Sequence, residues 1–219
     1  MISNFYSMDS LESLFHRSGK RLFFAGILVA VLALLLSFLS PVQYRADAQV
    51  YILSTSRYGL DPYTVAKSAE RIGENLAQVI KTSDFSGKVL MNQNFQLDRS
   101  YFDNAGSERE KRKRWEKSVE ASVVFGTGVL NVSAYHKDPN QAIAYNSAIV
   151  ETLVSQGSEY VGEDVEMKVV NQPVATNLPV RPNFLMNAVV GFAVGVFLMA
   201  FLVVRRNMKL RRSMDQRVG

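Results

Sequence analysis

The chain has 219 residues, is 47% hydrophobic, carries a formal net charge of +5 and contains no cysteine. Its mean hydropathy of +0.00 averages two unlike materials, because Leu22–Leu39 and Phe184–Val204 are uncharged apolar runs of 18 and 21 residues. These features exclude a single compact cytosolic domain, a large multidomain enzyme, thiol catalysis and thiolate metal sites.

In chain order, residues 1–21 form a cytoplasmic N-terminal segment. Within it Ser7–His16 reads as a short amphipathic helix, with Asp9 as cap and Glu12 at the capping-box spacing. Met8, Leu11, Leu14 and Phe15 then share one face, suited to lying on a membrane leaflet. The alternative is a plain extension of the following helix. Residues 22–39 would measure roughly 27 Å as a helix, close to the hydrocarbon thickness of about 30 Å. That run is read as transmembrane helix 1. A cleaved signal peptide is the rival, since Ala46-Asp47-Ala48 offers a cleavage pattern, but the run exceeds a usual h-region and Asp9 and Glu12 precede it.

Residues 40–183 form the intervening domain. Ala46, Ala48, Val50 and Ile52 alternate with Asp47, Gln49 and Tyr51, which predicts a half-buried strand over Arg45–Leu53. Tyr58-Gly59-Leu60 turns the chain, and Asp61-Pro62 then supplies a cap and a first-position proline for a helix over Pro62–Lys81. Ser83–Asn92 reads as a second short helix capped by Ser83 or Asp84, and Asn92–Asn104 as irregular. Ser107–Lys117 holds six basic and three acidic residues around Trp115. Arg109, Lys111, Arg112 and Arg114 would grip an acidic polymer or a neighbouring subunit, or else form a solvated helix face with Trp115 anchoring the other side. Glu120–Phe125 and Val129–Tyr135 flank Gly126-Thr127-Gly128, a hairpin signal. Asp138-Pro139 opens a helix reaching about Tyr160, and Glu166–Val170 is a last strand. The expected class is α+β: two transmembrane helices flanking one extracytoplasmic mixed α/β domain with a mainly antiparallel sheet.

Pro173, Pro179 and Pro182 forbid a regular helix and read as a stiff extended connector, or simply a spacer. Residues 184–204 form transmembrane helix 2. In it Gly191 and Gly195 make a GxxxG pair for close helix approach, within or between subunits, and Asn187 could add a cross-helix hydrogen bond. Residues 205–219 are a basic cytoplasmic tail with Arg205, Arg206, Lys209, Arg211, Arg212 and Arg217 against Asp215. That tail suits anionic lipid, or a docking partner. With Arg17, Lys20 and Arg21 before the first run, the positive flanks place both termini in the cytoplasm. The segment between the runs has 16 basic and 17 acidic residues, so the charge is localised to the flanks. At 15 residues the tail is too short for a signalling or kinase domain.

No catalytic, cofactor-binding or metal-binding pattern emerges. His136 reads as a strand-end residue, and Glu163, Asp164 and Glu166 as a solvated loop before a strand. Gly126 and Gly128 lack the context of a phosphate loop. Nucleic acid is not an expected partner for a segment between two membrane spans.

Several landmarks stand in one order. Tyr44-Arg45-Ala46-Asp47-Ala48 follows the first span, Asp138-Pro139-Asn140-Gln141-Ala142 precedes Ala144-Tyr145-Asn146, and the stretch from Pro173 to Pro182 precedes a span holding Gly191 and Gly195. Together these resemble the polysaccharide co-polymerase, or chain-length determinant, family of bacterial inner-membrane proteins, over Met8 to Arg206. The resemblance implies a protein that is not an enzyme and uses no cofactor. It would assemble as a homo-oligomeric ring and set the length of an O-antigen (lipopolysaccharide), capsule or exopolysaccharide. The implied partners are a polysaccharide polymerase or glycosyltransferase, the growing polysaccharide, membrane lipids and, for short forms, a separate cytoplasmic tyrosine kinase. The sequence lacks the long external helical hairpin of larger members and a fused kinase domain. The competing expectation is a two-span sensor or adaptor whose external domain binds a ligand and signals to a cytoplasmic partner.

Overall fold

The computed structural model describes the backbone of residues 5–54, 61–162 and 165–218, and side chains over 19–53, 61–162 and 165–206. The turn expected at Tyr58-Gly59-Leu60, together with Glu163 and Asp164, lies outside the described residues. The chain divides into two compact units: Val42–Arg181, and the two long helices with their immediate flanks.

The helical unit consists of α1 (Phe5–Phe38) and α8 (Phe184–Val218). Gly19–Phe38 and Phe184–Arg206 are long and apolar enough to cross a membrane. Helix α1 is continuous through Asp9 and onward, so Asp9 does not cap a separate amphipathic helix at Ser7–His16. The side chains of Met8, Leu11, Leu14 and Phe15 lie outside those described. No proline intervenes within α1, and a glycine such as Gly19 costs only about 1 kcal/mol, so nothing there forces a break. The first helix ends where Leu39 and Ser40 close tight turns onto Leu36 and Ser37 and Pro41 blocks continuation.

The Val42–Arg181 unit contains β1 (Tyr44–Ser54), α2 (Pro62–Val79), α3 (Ser83–Met91), α4 (Ser100–Asp103), α5 (Glu108–Ser118), β2 (Val119–Val123), β3 (Val129–His136), α6 (Pro139–Gln156), α7 (Ser158–Val161) and β4 (Val165–Ala175). All strand pairs are antiparallel, in the order β2-β3-β1-β4. With α3–α5 inserted after α2, this is β-α-β-β-α-β connectivity with interlocked split βαβ units, a ferredoxin-like arrangement. The fold is thus α+β, with an antiparallel sheet domain between two apolar helices.

Period-2 alternation builds the core. Ala46, Ala48, Val50 and Ile52 point to one face, where they meet Leu130, Val132 and Ala134 of β3, all essentially without exposure. Helix α6 crosses β1, β3 and β4 while α2 crosses β1 and β2, so both cover that face. Ile149 and Leu153 of α6 and Leu76 and Ile80 at the end of α2 complete the packing. Each such side chain contributes about 1.5–3 kcal/mol on burial.

The aspartate–proline starts behave as expected: Asp61 accepts from Thr64 N and Asp138 from Asn140 N. For α3 the cap is Thr82, not Ser83 or Asp84, because Thr82 Oγ1 accepts from Phe85 N while its backbone is extended. The stretch Asn92–Asn104 contains α4, where Phe102 is buried against Trp115 and Tyr145. The helix expected to reach Tyr160 divides at Gly157 into α6 and α7. In the β2–β3 hairpin, Gly126 adopts φ +72°, a left-handed conformation that disfavours other residues.

Strand β4 extends well past Val170. Between the Asp47–Val174 and Gln49–Asn171 partners β4 carries one extra residue, and another before the Val50–Val169 partner. Pro173 sits at the first of these bulges, where a missing N–H breaks no ladder bond.

Candidate functional site

The two long helices pack directly on one another. A Cβ on Gly191 would come within 2.8 Å of Ala33 Cβ, and one on Gly195 within 2.6 Å of Ala25 O. Sequence reasoning left open whether this glycine face pairs within or between subunits; here α1 of the same chain occupies it. Gly26, not singled out from the sequence, supplies the matching hollow, since a Cβ there would meet the Phe192 ring at 2.6 Å. Asn187 Nδ2 donates to Ser37 Oγ at 2.7 Å, and Ser37 Oγ donates back to Ala33 O at 2.9 Å. Ser37 is thereby a polar crosspiece in an otherwise apolar contact.

The proline-spaced stretch is tied to the sheet domain. Thr176 N donates to Arg45 O, Val180 N donates to Gln43 O, and Gln43 N donates to Arg181 O. Pro173 belongs to β4, and Pro179 lies in the segment held back against the start of β1. The stretch expected as a stiff extended connector or spacer is tied at Thr176, Val180 and Arg181 to Gln43 and Arg45, at the start of the domain. The domain's entry and exit strands, β1 and β4, pair side by side, and the Gln43–Arg181 bridge extends that pairing.

On α5, Arg112 pairs with Glu116 at 3.0 Å and Arg114 with Glu110 at 2.5 Å. Arg114 also donates to Tyr101 O, and its guanidinium sits over the Tyr101 ring. The Arg114 guanidinium lowers the Glu110 carboxyl, helped by a backbone hydrogen bond from Gly106. Arg109 is exposed and Lys111 half-buried, and neither makes an ion pair among the described residues. Trp115 faces the other way, 1% exposed, with Nε1 donating to Ile80 O at 2.7 Å. That bond satisfies a carbonyl at the open end of α2. The four basic residues thus do not converge: two are drawn into i,i+4 pairs along the helix.

The sheet face away from α2 and α6 carries a polar surface. It holds an open cavity of about 680 Å³ bordered by Arg45, Asp47, Gln49, Glu120, Asn131 and Asn171 among others. Side chains cross the strands in hydrogen-bonded rows. Asn171 Nδ2 of β4 donates to Gln49 Oε1 of β1 at 2.5 Å, and Gln49 Nε2 donates to Asn131 Oδ1 of β3 at 2.7 Å. In the next row Ser133 Oγ and Arg45 Nε both donate to the Asp47 carboxylate, at 2.6 and 2.9 Å. Tyr135 OH donates to Glu120 Oε2 at 2.7 Å, and the Arg181 guanidinium covers the Tyr135 ring at 3.5 Å. Burial, then the bond to Glu120, pushes the Tyr135 hydroxyl up.

Sequence reasoning registered Asp47 and Gln49 only as the polar half of an alternation. The strand order that sets Asn131, Ser133 and Asn171 beside them was not visible locally. A second hollow near His136, Asp98 and Ser100 is lined by His136 stacked on Tyr145. Its Asp98 carboxyl is lowered by hydrogen bonds from the Ser100 hydroxyl and backbone. Among the described residues no group of three or more metal-ligating side chains forms. No family model and no curated protein matches the sequence.

Proposed function

We propose that this is a non-catalytic membrane protein that regulates the chain length or assembly of a surface polysaccharide, as an oligomeric co-polymerase. The observation that carries the reading is a folded α+β domain whose two ends are bonded side by side and lead into two apolar helices that pack through small residues. Such a domain, joined in sequence at both ends to an apolar helix, suits a scaffold that positions a polymer beside a separate synthase. The chain lies in a bacterial cytoplasmic membrane in this reading, with the sheet domain on the far side and both termini in the cytoplasm, as the basic flanks favour. The polysaccharide comes from the resemblance of the sequence; its landmarks lie at the start of β1 (Tyr44–Ala48), at the cap of α6 (Asp138) and before α8 (the proline stretch).

Deletion of the coding sequence, followed by gel separation of the cell-surface polysaccharide, tests the proposal. The expected result is a changed length distribution or yield, restored by the wild-type chain. An unchanged pattern rejects it, and a changed transcriptional response without a changed polymer would favour the two-span sensor instead.

A further inference from the structure

We infer that the open face of the sheet is a contact surface for an uncharged, polyhydroxylated chain, a segment of neutral oligosaccharide laid across β1, β3 and β4. The inference rests on the co-polymerase reading for the source of that chain, but its argument is the chemistry of the face. Of the charges lining the cavity, Asp47 is bonded by Arg45 at 2.9 Å, and Glu120 accepts from Tyr135 with the Arg181 guanidinium 3.9 Å away; Lys168, opposite Tyr51 on the same face, lies outside the cavity. A polyanion would meet two carboxylates whose cations are engaged, and a polycation would meet two guanidinium groups. A protein partner of ordinary composition would want an apolar centre, whereas the side chains lining this cavity are almost all polar.

A neutral polyol fits what remains. The amide row runs in one direction, so Asn131 Nδ2 at one end and Asn171 Oδ1 at the other are not consumed by it. Each sugar hydroxyl is both donor and acceptor and can serve either end. With strands about 4.8 Å apart, the row spans three strands and about 10 Å, an extended rather than enclosed seat. The amides are held by one another before any ligand arrives, which reduces the ordering lost on binding. Tyr51, exposed on the same strand face, adds an aromatic surface at the border.

The test uses the full chain in lipid nanodiscs and saturation-transfer NMR. The probe is the neutral oligosaccharide fraction released by mild acid from the producing cell's own surface polymer, with polygalacturonate fragments as the charged comparator. Transfer to the neutral fraction and none to polygalacturonate is expected. Binding should weaken roughly five-fold or more in Gln49→Ala with Asn131→Ala, the scale of a lost neutral hydrogen bond. Asn131→Asp, which keeps the shape but removes the free donor, should weaken binding as well. Both variants are checked for an unchanged Tm, and a variant that fails it is replaced by Asn171→Ser. Absence of transfer from the wild type, transfer that survives the variants, or equal transfer to polygalacturonate overturns the inference. So does a wild-type face silent to sugar whose Asn131→Ala variant changes the particle's oligomeric mass, which would assign the surface to a second copy. A deletion strain with altered polymer length but no transfer removes this site and keeps the co-polymerase role. Transfer lost in the variants beside an unaltered polymer does the reverse.

Discussion

Asn146 shows how much one buried side chain can fix. It has no exposure, and its Nδ2 donates to Ala46 O of β1 at 2.5 Å and to Val132 O of β3 at 2.9 Å, while its Oδ1 has no partner among the described residues. Helix α6 is thereby pinned to the two central strands by direction as well as by packing. Asn146→Ala removes both bonds and should destabilise the domain by about 1–3 kcal/mol, the usual cost of stranding buried polar groups. Asn146→Asp is the sharper variant. Its carboxylate would face two carbonyl oxygens without donors, so the folded state raises its pKa above the unfolded value of about 3.9. The neutral acid is then the form that fits. The penalty is smallest below that unfolded value and grows as pH rises through the folded pKa. Thermal unfolding of the full chain at several pH values should show the Asp variant's deficit against wild type widening from acid to neutral pH. A deficit independent of pH would mean that the site is not desolvated.

At the scale of elements, local chemistry was legible and pairing was not. The strand β1 and the starts of α2 and α6 follow from alternation and from an aspartate before a proline, signals confined to a few adjacent residues. The continuation of β4 through Pro173 was not legible, because a proline in a strand becomes acceptable only once a bulge exists, and the bulge is defined by the partner β1. The polar sheet face was hidden for the same reason: Gln49, Asn131 and Asn171 are far apart in the chain and meet only through strand order. The charge-dense α5 was visible as a helix, but its anchoring bond from Trp115 to Ile80 O is non-local. Trp115→Phe keeps most of the ring volume and loses that bond, so it should cost about 1 kcal/mol. Trp115→Ala adds a cavity and should cost about 3–5 kcal/mol. Equal losses in denaturant titrations would show that the indole N–H contributes nothing.

The helical pair makes a separate element-level prediction. Ser37 and Asn187 touch across it, and the protein's lack of cysteine leaves a silent background. With Ser37→Cys and Asn187→Cys in one chain, mild oxidation should form an intramolecular disulfide, seen as a monomer of altered gel mobility. Adding Gly191→Leu should suppress it, because the Cβ space there is already filled by Ala33. Dimers as the main product would mean that the helices exchange between copies.

For the whole molecule, the charge distribution and the two apolar helices make a joint statement. The net +5 of the chain resides in its flanks, whereas the long segment between the apolar runs is nearly neutral. Basic residues beside short flanks resist translocation, while a long segment crosses regardless of its charge. If both helices span, the ends of the chain share one side and the sheet domain occupies the other. Single-cysteine variants of the cysteine-free chain decide this in intact cells. Ser122→Cys on the exposed sheet and Lys113→Cys on α5 should react with a membrane-impermeant maleimide. Ser18→Cys and Arg206→Cys should react only after the membrane is opened. Labelling of Ser18→Cys in intact cells would place the first terminus outside and break the two-span topology. A mature chain that starts near Gln49 would show instead that the first apolar run is cleaved, leaving the domain anchored through α8 alone. In that event the close fit of Gly191 and Gly195 to α1 would have no role in the working protein.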